Sequence, residues 1–201
     1  EKHRALGRSF RKRGAAAGFC WNGWILRWRE AGEEALRLER KSSCCFTGHR
    51  RIPEQEMLWL RRRLREEIVA LVEEKGITTF LAGGALGFDT IAAQEVLRAR
   101  GERYPGLKLE LVLPYVGQEE QWSQRDASVY RAMLRQADRV VYIAGRYTQG
   151  CMFQRNRYLV EHSAYCLCYQ KRGRGGTAYT VRYANSQGLA VRNLAIQPWQ
   201  E

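Results

Sequence analysis

Strand-like apolar runs and helix-like amphipathic segments alternate along this chain from residue 42 onward. Short connections between such segments imply right-handed crossovers, which place parallel strands in one sheet with helices on both faces. The alternation therefore predicts an α/β fold built on a doubly wound, mostly parallel sheet flanked by helices. We expect strands at residues 43–48, 77–82, 107–114, 138–144, 164–170 and 189–195, and helices at residues 54–75, 90–100, 122–136, 154–163 and 177–187.

Positive charge is concentrated near the start of the chain. The whole sequence has a formal net charge of +13, which favours anionic partners such as nucleotides or nucleic acid. Residues 1–43 carry 11 Lys and Arg against 5 Asp and Glu. We therefore expect a basic N-terminal extension over residues 1–41, helical or partly disordered, and one domain over residues 42–197.

The sequence contains no uninterrupted apolar run of the roughly 18 residues that a membrane span requires. Residues 8–26 imitate a signal peptide only loosely, because Asn22 and Gly23 interrupt the apolar part and no small-residue cleavage site follows. We accordingly expect a cytoplasmic protein that does not contact a membrane.

The six cysteines do not form the pattern of a secreted disulfide framework. Four of them lie in predicted strands, where a buried cysteine usually acts as a small apolar residue. No CxxC pair with a distant partner pair is present, so we predict no metal site.

Four distinctive loops follow the predicted strands, at residues 47–51, 83–89, 145–156 and 173–177. The carboxyl ends of parallel strands meet at one edge of a sheet, which is where ligands bind in such folds. Glycines let backbone N–H groups approach a ligand closely, and the helix N-termini that follow favour a phosphate. A phosphate held in this way does not require a lysine, and the loops match neither the Walker A nor the GxGxxG fingerprint.

Each loop taken alone has an ordinary alternative. A Gly-Gly turn can be a turn and nothing more. Asp89 is as well suited to cap a helix as to contact a ligand. His49 and Arg50 could belong to a solvated loop, and Arg155 and Asn156 could be surface polar residues of a helix's first turn.

Taken together and in this order, the loops resemble the YpsA-like branch of the SLOG superfamily. This Rossmann-like group includes LOG-type nucleotide phosphoribohydrolases and the DNA-processing protein DprA. The resemblance covers about residues 43–195 and implies a Rossmann-like nucleotide-binding domain over residues 42–197. Its motifs are TGHR at 47–50, GGALGFDT at 83–90, the element Pro114, Tyr115, Gln118 and Trp122, GCMFQRNRYLV at 150–160, and GGTAYTVRYA at 175–184.

The resemblance implies a set of ligand-binding residues and leaves catalytic residues unassigned. Trp122 or Tyr115 could stack on a base, although partial burial is an equal alternative for either. The implied ligand-binding residues are Gly48, His49, Arg50, Gly83, Gly84, Gly87, Asp89, Gln118, Trp122, Gly150, Cys151, Met152, Arg155, Asn156, Gly175, Gly176 and Thr177.

The residue types suggest which part of a nucleotide each of these positions would bind. We assign the glycine amides and the Thr177 hydroxyl to a phosphate, with Arg155 or Arg50 as the group that matches its charge. Asp89 is suited to accept a hydrogen bond from a ribose hydroxyl.

One position departs from the hydrolase pattern. LOG-type hydrolases carry a glutamate three positions after their Gly-Thr pair and use it with an arginine to cleave the N-glycosidic bond. Here Thr180 occupies that position. A hydroxyl neither stabilises an oxocarbenium-like ion nor transfers protons well. Glu161 and Asp89 remain substitutes, and the departure favours binding over hydrolysis.

The first functional hypothesis is a protein that binds a nucleotide or a nucleotide derivative, such as ADP-ribose or an NAD-like molecule, as a ligand sensor. An alternative is a phosphoribohydrolase-like enzyme. A second alternative, not favoured, is DprA-like binding of single-stranded nucleic acid. We expect a small-molecule nucleotide as the partner and no other cofactor, and the superfamily's habit of pairing subunits suggests a homodimer.

Overall fold

A computed structural model of the chain describes residue 34 and residues 37–195. Most of the predicted N-terminal extension lies outside the described residues. Of its described part, residues 37–41 are helical. The strands that follow are β1 (Ser43–Gly48), β2 (Thr79–Ala82), β3 (Lys108–Tyr115), β4 (Arg139–Ala144), β5 (Tyr165–Tyr169) and β6 (Ala190–Asn193). The helices between them are α1 (Glu54–Lys75), α2 (Phe88–Glu102), α3 (Gln124–Gln136), α4 (Cys151–Glu161) and α5 (Gly176–Ser186).

The strands of the described residues form one parallel sheet in the order β4-β3-β2-β1-β5-β6. The chain moves outward from β1 to β4, then crosses back to place β5 on the other side of β1. The β1 register pairs Ser43 with Thr79 of β2 and Cys45 with Cys166 of β5. The direction of winding reverses between β1 and β5, so a crevice is expected at their carboxyl ends. The predicted α/β, doubly wound, parallel fold is confirmed.

Successive residues of β1 point to opposite faces of the sheet and bury different cores. Cys44 and Phe46 belong to a core that includes residues of α1, α2 and α3, such as Leu64. Cys45 belongs to a second core with α4 and α5, to which Leu159 contributes. This two-sided burial explains why the strands read as continuous apolar runs rather than as alternating ones.

Several boundaries differ from the predicted ones for local reasons. The third helix begins at Gln124 rather than at residue 122, because the Ser123 side chain caps it by accepting a hydrogen bond from the Asp126 N–H at 3.1 Å. Helix α4 begins at Cys151, three residues early, after Gly150 adopts a left-handed φ of 88°. Helix α2 begins at Phe88, so Asp89 lies inside its first turn and is not the N-cap.

The strand cysteines lie in the interior. Burial raises the pKa of the Cys44 thiol well above its usual range and that of Cys168 to about 12, which leaves both as unreactive thiols near neutral pH. The described residues contain no group of three or more His, Cys, Asp or Glu side chains placed to hold a metal ion. None of their helices combines the length and apolarity needed to cross a bilayer.

Two leucines of α1 provide a matched test of this packing. Leu64 is 0% exposed and Leu58 is 82% exposed. We expect Leu64→Ala to lower the free energy of unfolding by about 2–5 kcal/mol, because it leaves a cavity in the core. Leu58→Ala should change it by no more than about 0.5 kcal/mol. Urea unfolding of both variants measures the difference, and equal effects would contradict the assigned helix face.

Candidate functional site

A cavity of about 290 Å³ lies at the carboxyl edge of the sheet, where β1 ends. It is formed by the end of β1, the loop after β2 and the first turns of α2, α4 and α5. The lining residues are Phe46, Thr47, Gly48, His49, Arg50, Ala85, Asp89, Met152, Arg155, Asn156, Leu159, Gly176 and Thr177. Nine of the seventeen predicted binding residues are among them. The topology thus brings all four distinctive loops, or the helix starts behind them, toward one space.

The helices whose first turns reach the cavity all begin after a glycine. At Gly87, Gly150 and Gly175 no side chain caps the helix that follows. Gly176 and Thr177, the first residues of α5, line the cavity directly. The N–H groups of a helix's first turn lack partners within the helix and carry partial positive charge. This wall of the cavity is therefore suited to an anion.

Arg155 is 7% exposed and is held by groups from three parts of the chain. Its Nη1 donates to the Gly83 carbonyl at 2.5 Å and lies 3.7 Å from Asp89 Oδ2. Its Nε donates to Asn156 Oδ1 at 2.8 Å. These contacts fasten the loop after β2 to α4. Because its guanidinium already has these partners, Arg155 is better placed to organise the cavity than to give its charge to a ligand.

Asp89 is 5% exposed and faces the cavity beside this guanidinium. Burial raises the pKa of the Asp89 carboxyl, and the Arg155 charge and backbone hydrogen bonding at Ala85 and Gly83 oppose that rise. Burial likewise lowers the pKa of Arg155, against the effect of Asp89. Desolvation thus outweighs the mutual attraction in both groups, as is common for buried pairs.

Gly83 and Gly87 allow two loops to approach closely. A Cβ atom on Gly83 would lie 1.7 Å from Arg155 Nη1, so only glycine leaves room for the guanidinium. Gly87 has a φ of 77°, and a Cβ there would lie 2.3 Å from the carbonyl oxygen of Arg50. The Phe88 N–H donates to the His49 carbonyl at 3.1 Å across the same junction. The glycines after β2 therefore serve the packing of the loops.

His49 has a fixed orientation and tautomer. Its Nε2 accepts a hydrogen bond from the Lys171 backbone N–H at 2.9 Å, and its ring packs edge-on against Tyr169 at 6.0 Å. Burial, followed by the charges of Arg172 and Lys171, lowers the pKa of His49. The ring is therefore neutral near pH 7, with its proton on Nδ1.

Arg50 is the exposed cation of the cavity. Within the part of the chain that the structure describes, the charged side chains lining the cavity are Arg50, Asp89 and Arg155. Asp89 and Arg155 are buried beside one another, which leaves Arg50 with its charge available to a ligand. The lining thus carries two cations against one carboxylate and favours an anionic occupant.

The other predicted residues lie outside the lining. Gln118 donates from Nε2 to the Gly84 carbonyl at 3.2 Å, and Trp122 packs edge-on against Tyr130 at 5.3 Å. Tyr115 packs against Tyr147 at 5.5 Å, so neither proposed stacking aromatic borders the cavity. The predicted residues outside the lining are Gly83, Gly84, Gly87, Gln118, Trp122, Gly150, Cys151 and Gly175.

The lining also includes residues that the sequence prediction did not name. Thr47 and Ala85 lie inside the TGHR and GGALGFDT stretches, so the motifs pointed to them. Leu159 likewise lies inside the GCMFQRNRYLV stretch, whereas Phe46 lies in the predicted strand at residues 43–48 and carried no signal of its own. The bond from Lys171 to His49 spans 122 residues and could not be read from local patterns.

Comparison with known proteins identifies the family. The family model YpsA, described as the YspA SLOG family, matches residues 47–195, and the chain belongs to that family. The UPF0398 protein of Bacillus pumilus (strain SAFR-032) is 30% identical over 136 residues, which cover 66% of this chain and 72% of that protein. The UPF0398 protein of Bacillus thuringiensis (strain Al Hakam) is 33% identical over 132 residues, which cover 64% of this chain and 71% of that protein.

Two solved structures of DNA processing protein A share the fold. The Streptococcus pneumoniae protein matches with a TM-score of 0.56 and 15% identity, over 79% of this chain and 52% of that one. The chain therefore corresponds to about half of that protein. The Helicobacter pylori protein, described for its single-stranded DNA binding mode, matches with a TM-score of 0.56 and 17% identity, over 83% of this chain and 70% of that one. The resemblance to the SLOG superfamily is confirmed.

Replacing Gly83 tests the loop junction. We expect Gly83→Ala to lower the free energy of unfolding by about 1–3 kcal/mol, because its Cβ would overlap the Arg155 guanidinium. Gly173→Ala is the control, since a Cβ there meets nothing within 4 Å. Urea unfolding measures both, and equal stabilities would show that Arg155 is not held against Gly83.

His49 should make stability depend on pH in a defined direction. Its folded-state pKa is lowered, so the stability it adds is present above its ordinary pKa and is lost as the pH falls through the folded-state value. We expect the difference in Tm between wild type and His49→Ala to be largest near about pH 8 and to shrink toward about pH 5. Thermal unfolding across that range measures it. A difference that stays constant would argue against the neutral acceptor role.

Proposed function

We propose that this SLOG-family chain binds a nucleotide or a nucleotide derivative, such as ADP-ribose or an NAD-like molecule, in the cavity and acts as a sensor of that ligand. The observation that carries the proposal is the convergence of an exposed arginine, an uncapped helix start and one buried carboxylate on a single cavity. These groups match a phosphate and a sugar hydroxyl, the two polar parts common to nucleotides.

The phosphate is best matched by the β1 and α5 sides of the cavity. The N–H groups of Gly176 and Thr177 belong to the first turn of α5, and the Thr177 side chain adds a hydroxyl donor. Arg50 supplies the positive charge from the loop after β1. His49 can add an uncharged donor at Nδ1, because its Nε2 is occupied by the Lys171 N–H. A phosphate bound here gains charge-assisted hydrogen bonds without competing for Arg155.

The sugar and base are matched by the remaining lining. Asp89 accepts hydrogen bonds and is already held in place by Arg155, so a ribose hydroxyl can donate to it without moving it. Met152 and Leu159 provide apolar contacts, and a thioether adapts to planar rings. The cavity is near the lower end of the roughly 300–1,000 Å³ typical of small-molecule sites. A dinucleotide-sized ligand would therefore extend beyond it.

The structure around Thr180 supports binding rather than hydrolysis. Thr180 is buried and does not line the cavity, and its hydroxyl is used within α5, where it donates to the Gly176 carbonyl at 2.9 Å. Glu161 accepts from the Tyr183 hydroxyl at 2.6 Å and does not line the cavity either. Among the described lining residues Asp89 is the one carboxylate, and it lies on α2 rather than three positions after the Gly176-Thr177 pair, where LOG-type hydrolases carry their glutamate.

Two adjacent arginines test the proposal. Arg50 lines the cavity, whereas Arg51 is exposed and does not. We expect ADP-ribose to raise the Tm of the wild type, by mass-action stabilisation of the folded state. Arg50→Gln should weaken binding about tenfold or more, since a hydrogen bond to a charged group contributes about 1.5–3 kcal/mol. Arg51→Gln should stay within about twofold of wild type.

Two results of the same titration would contradict the proposal. Absence of any Tm shift with ADP-ribose, NAD and AMP would end the proposal for these ligands. Equal losses in the two arginine variants would point to general charge attraction rather than to the cavity. In parallel, chromatography of AMP incubated with the protein should show no free adenine, and released adenine would favour the hydrolase alternative.

A further inference from the structure

Three aromatic side chains form a continuous array on the outer side of α4 and α5, referred to below as the aromatic strip: Phe153, Tyr179 and Tyr183. The Phe153 ring meets the Tyr179 ring edge-on at 4.9 Å, and the Tyr179 and Tyr183 rings lie 6.3 Å apart and within 9° of parallel. Phe153 is 51% exposed, and both tyrosines are half-buried. None of the three lines the cavity.

Phe153 and Tyr179 lie outside the core on this side of the sheet, and Tyr183 packs against its outer side. The core on this side of the sheet is built from residues such as Leu159, Val160 and Ala184, which are buried. The strip is bordered by charged groups, which include the Glu161 carboxylate that accepts from the Tyr183 hydroxyl at 2.6 Å. The Arg157 guanidinium lies 5.1 Å from the centre of the Tyr183 ring, a cation–π arrangement on the protein surface.

Charge is distributed unequally between the two parts of the domain. Residues 145–187, which contain α4, β5 and α5, carry seven Lys and Arg against one Asp or Glu, a net charge of +6. Residues 44–144 carry 15 against 14, a net charge of +1. Six of the seven cations are exposed: Arg146, Arg157, Lys171, Arg172, Arg174 and Arg182. Lys171 is paired with Glu56, which leaves the arginines as the unbalanced charges.

We propose that the aromatic strip and the arginines around it form a binding surface for single-stranded nucleic acid, separate from the cavity. Stacking of bases on aromatic rings combined with cations along the backbone is the common basis of single-strand binding. A duplex keeps its bases stacked within itself and could use the charges alone. A second copy of this chain is a poorer partner, because pairing this face with itself would bring two strongly positive surfaces together.

Two exposed tyrosines elsewhere provide a matched control. Tyr142 and Tyr147 are exposed and lie outside the strip. In the full chain, we expect the double variant Phe153→Leu and Tyr183→Leu to weaken binding of fluorescently labelled oligothymidylate about tenfold or more, because it removes stacking and keeps apolar volume. The double variant Tyr142→Leu and Tyr147→Leu should remain within about twofold of wild type. Fluorescence anisotropy at low salt measures the dissociation constants.

The arginines predict a separate signature. Replacing Arg157 and Arg182 with Gln should weaken binding of every sequence similarly and reduce the slope of log affinity against log salt by about two. Arg98 and Arg103 on α2 and the turn after it serve as the control pair, because both are exposed and lie in the part of the domain with little net charge. Their replacement with Gln should leave the slope unchanged.

Further outcomes are decisive. A wild type that binds no oligothymidylate at low salt, or that binds an abasic oligonucleotide as tightly, would overturn the proposal. Strip variants that bind like wild type would assign any nucleic-acid binding to other residues, including the basic residues 1–43, and overturn the strip as the site. A change of oligomeric state in the strip variants, measured by sedimentation velocity, would make the face a self-association surface instead. An unchanged ADP-ribose response in these variants is expected and separates this surface from the cavity.

Discussion

The buried guanidinium of Arg155 sets the conditions for the rest of the site, because a buried charge is stable only where its donors find partners. Its partners come from the Gly83 carbonyl, the Asp89 carboxylate and the Asn156 side chain. Meeting that requirement fixes the loop after β2, the first turn of α2 and the first turn of α4 relative to one another. The burial of Arg155 therefore accounts for the glycine at position 83 and the carboxylate at position 89 without reference to a ligand.

Hydrogen bonds to His49 join the loop after β1 to the loops after β2 and β5. The His49 carbonyl accepts from the Phe88 N–H, and the His49 ring accepts from the Lys171 N–H after β5. The loop that carries Arg50 is therefore tied to both neighbouring strands of the sheet. A cavity held in this way by contacts within the chain is already formed, so a ligand bound there would lose less binding energy in ordering it.

The sequence predicted the fold well because its main signal is periodic. Alternating apolar runs and amphipathic helices determine a parallel sheet, and the topology then places every strand-end loop at one edge. It predicted the site less completely. Whether Arg50 or Arg155 faces a ligand depends on burial, and the position of Trp122 against Tyr130 depends on packing with α3. Neither follows from spacing along the chain, because both depend on how the folded elements pack, and for Arg155 on contacts with the distant residues Gly83 and Asp89.

The uneven distribution of charge has a consequence for motion in solution. With a net charge of +6 in residues 145–187 and +1 in residues 44–144, the excess positive charge of this part of the chain is concentrated in the segment that contains α4, β5 and α5. A polyanion is therefore attracted more strongly to this segment than to residues 44–144. The rate at which anions encounter this segment would then fall as ionic strength rises, even for a complex whose affinity does not depend on salt. Association rates and affinities would therefore show different salt dependences.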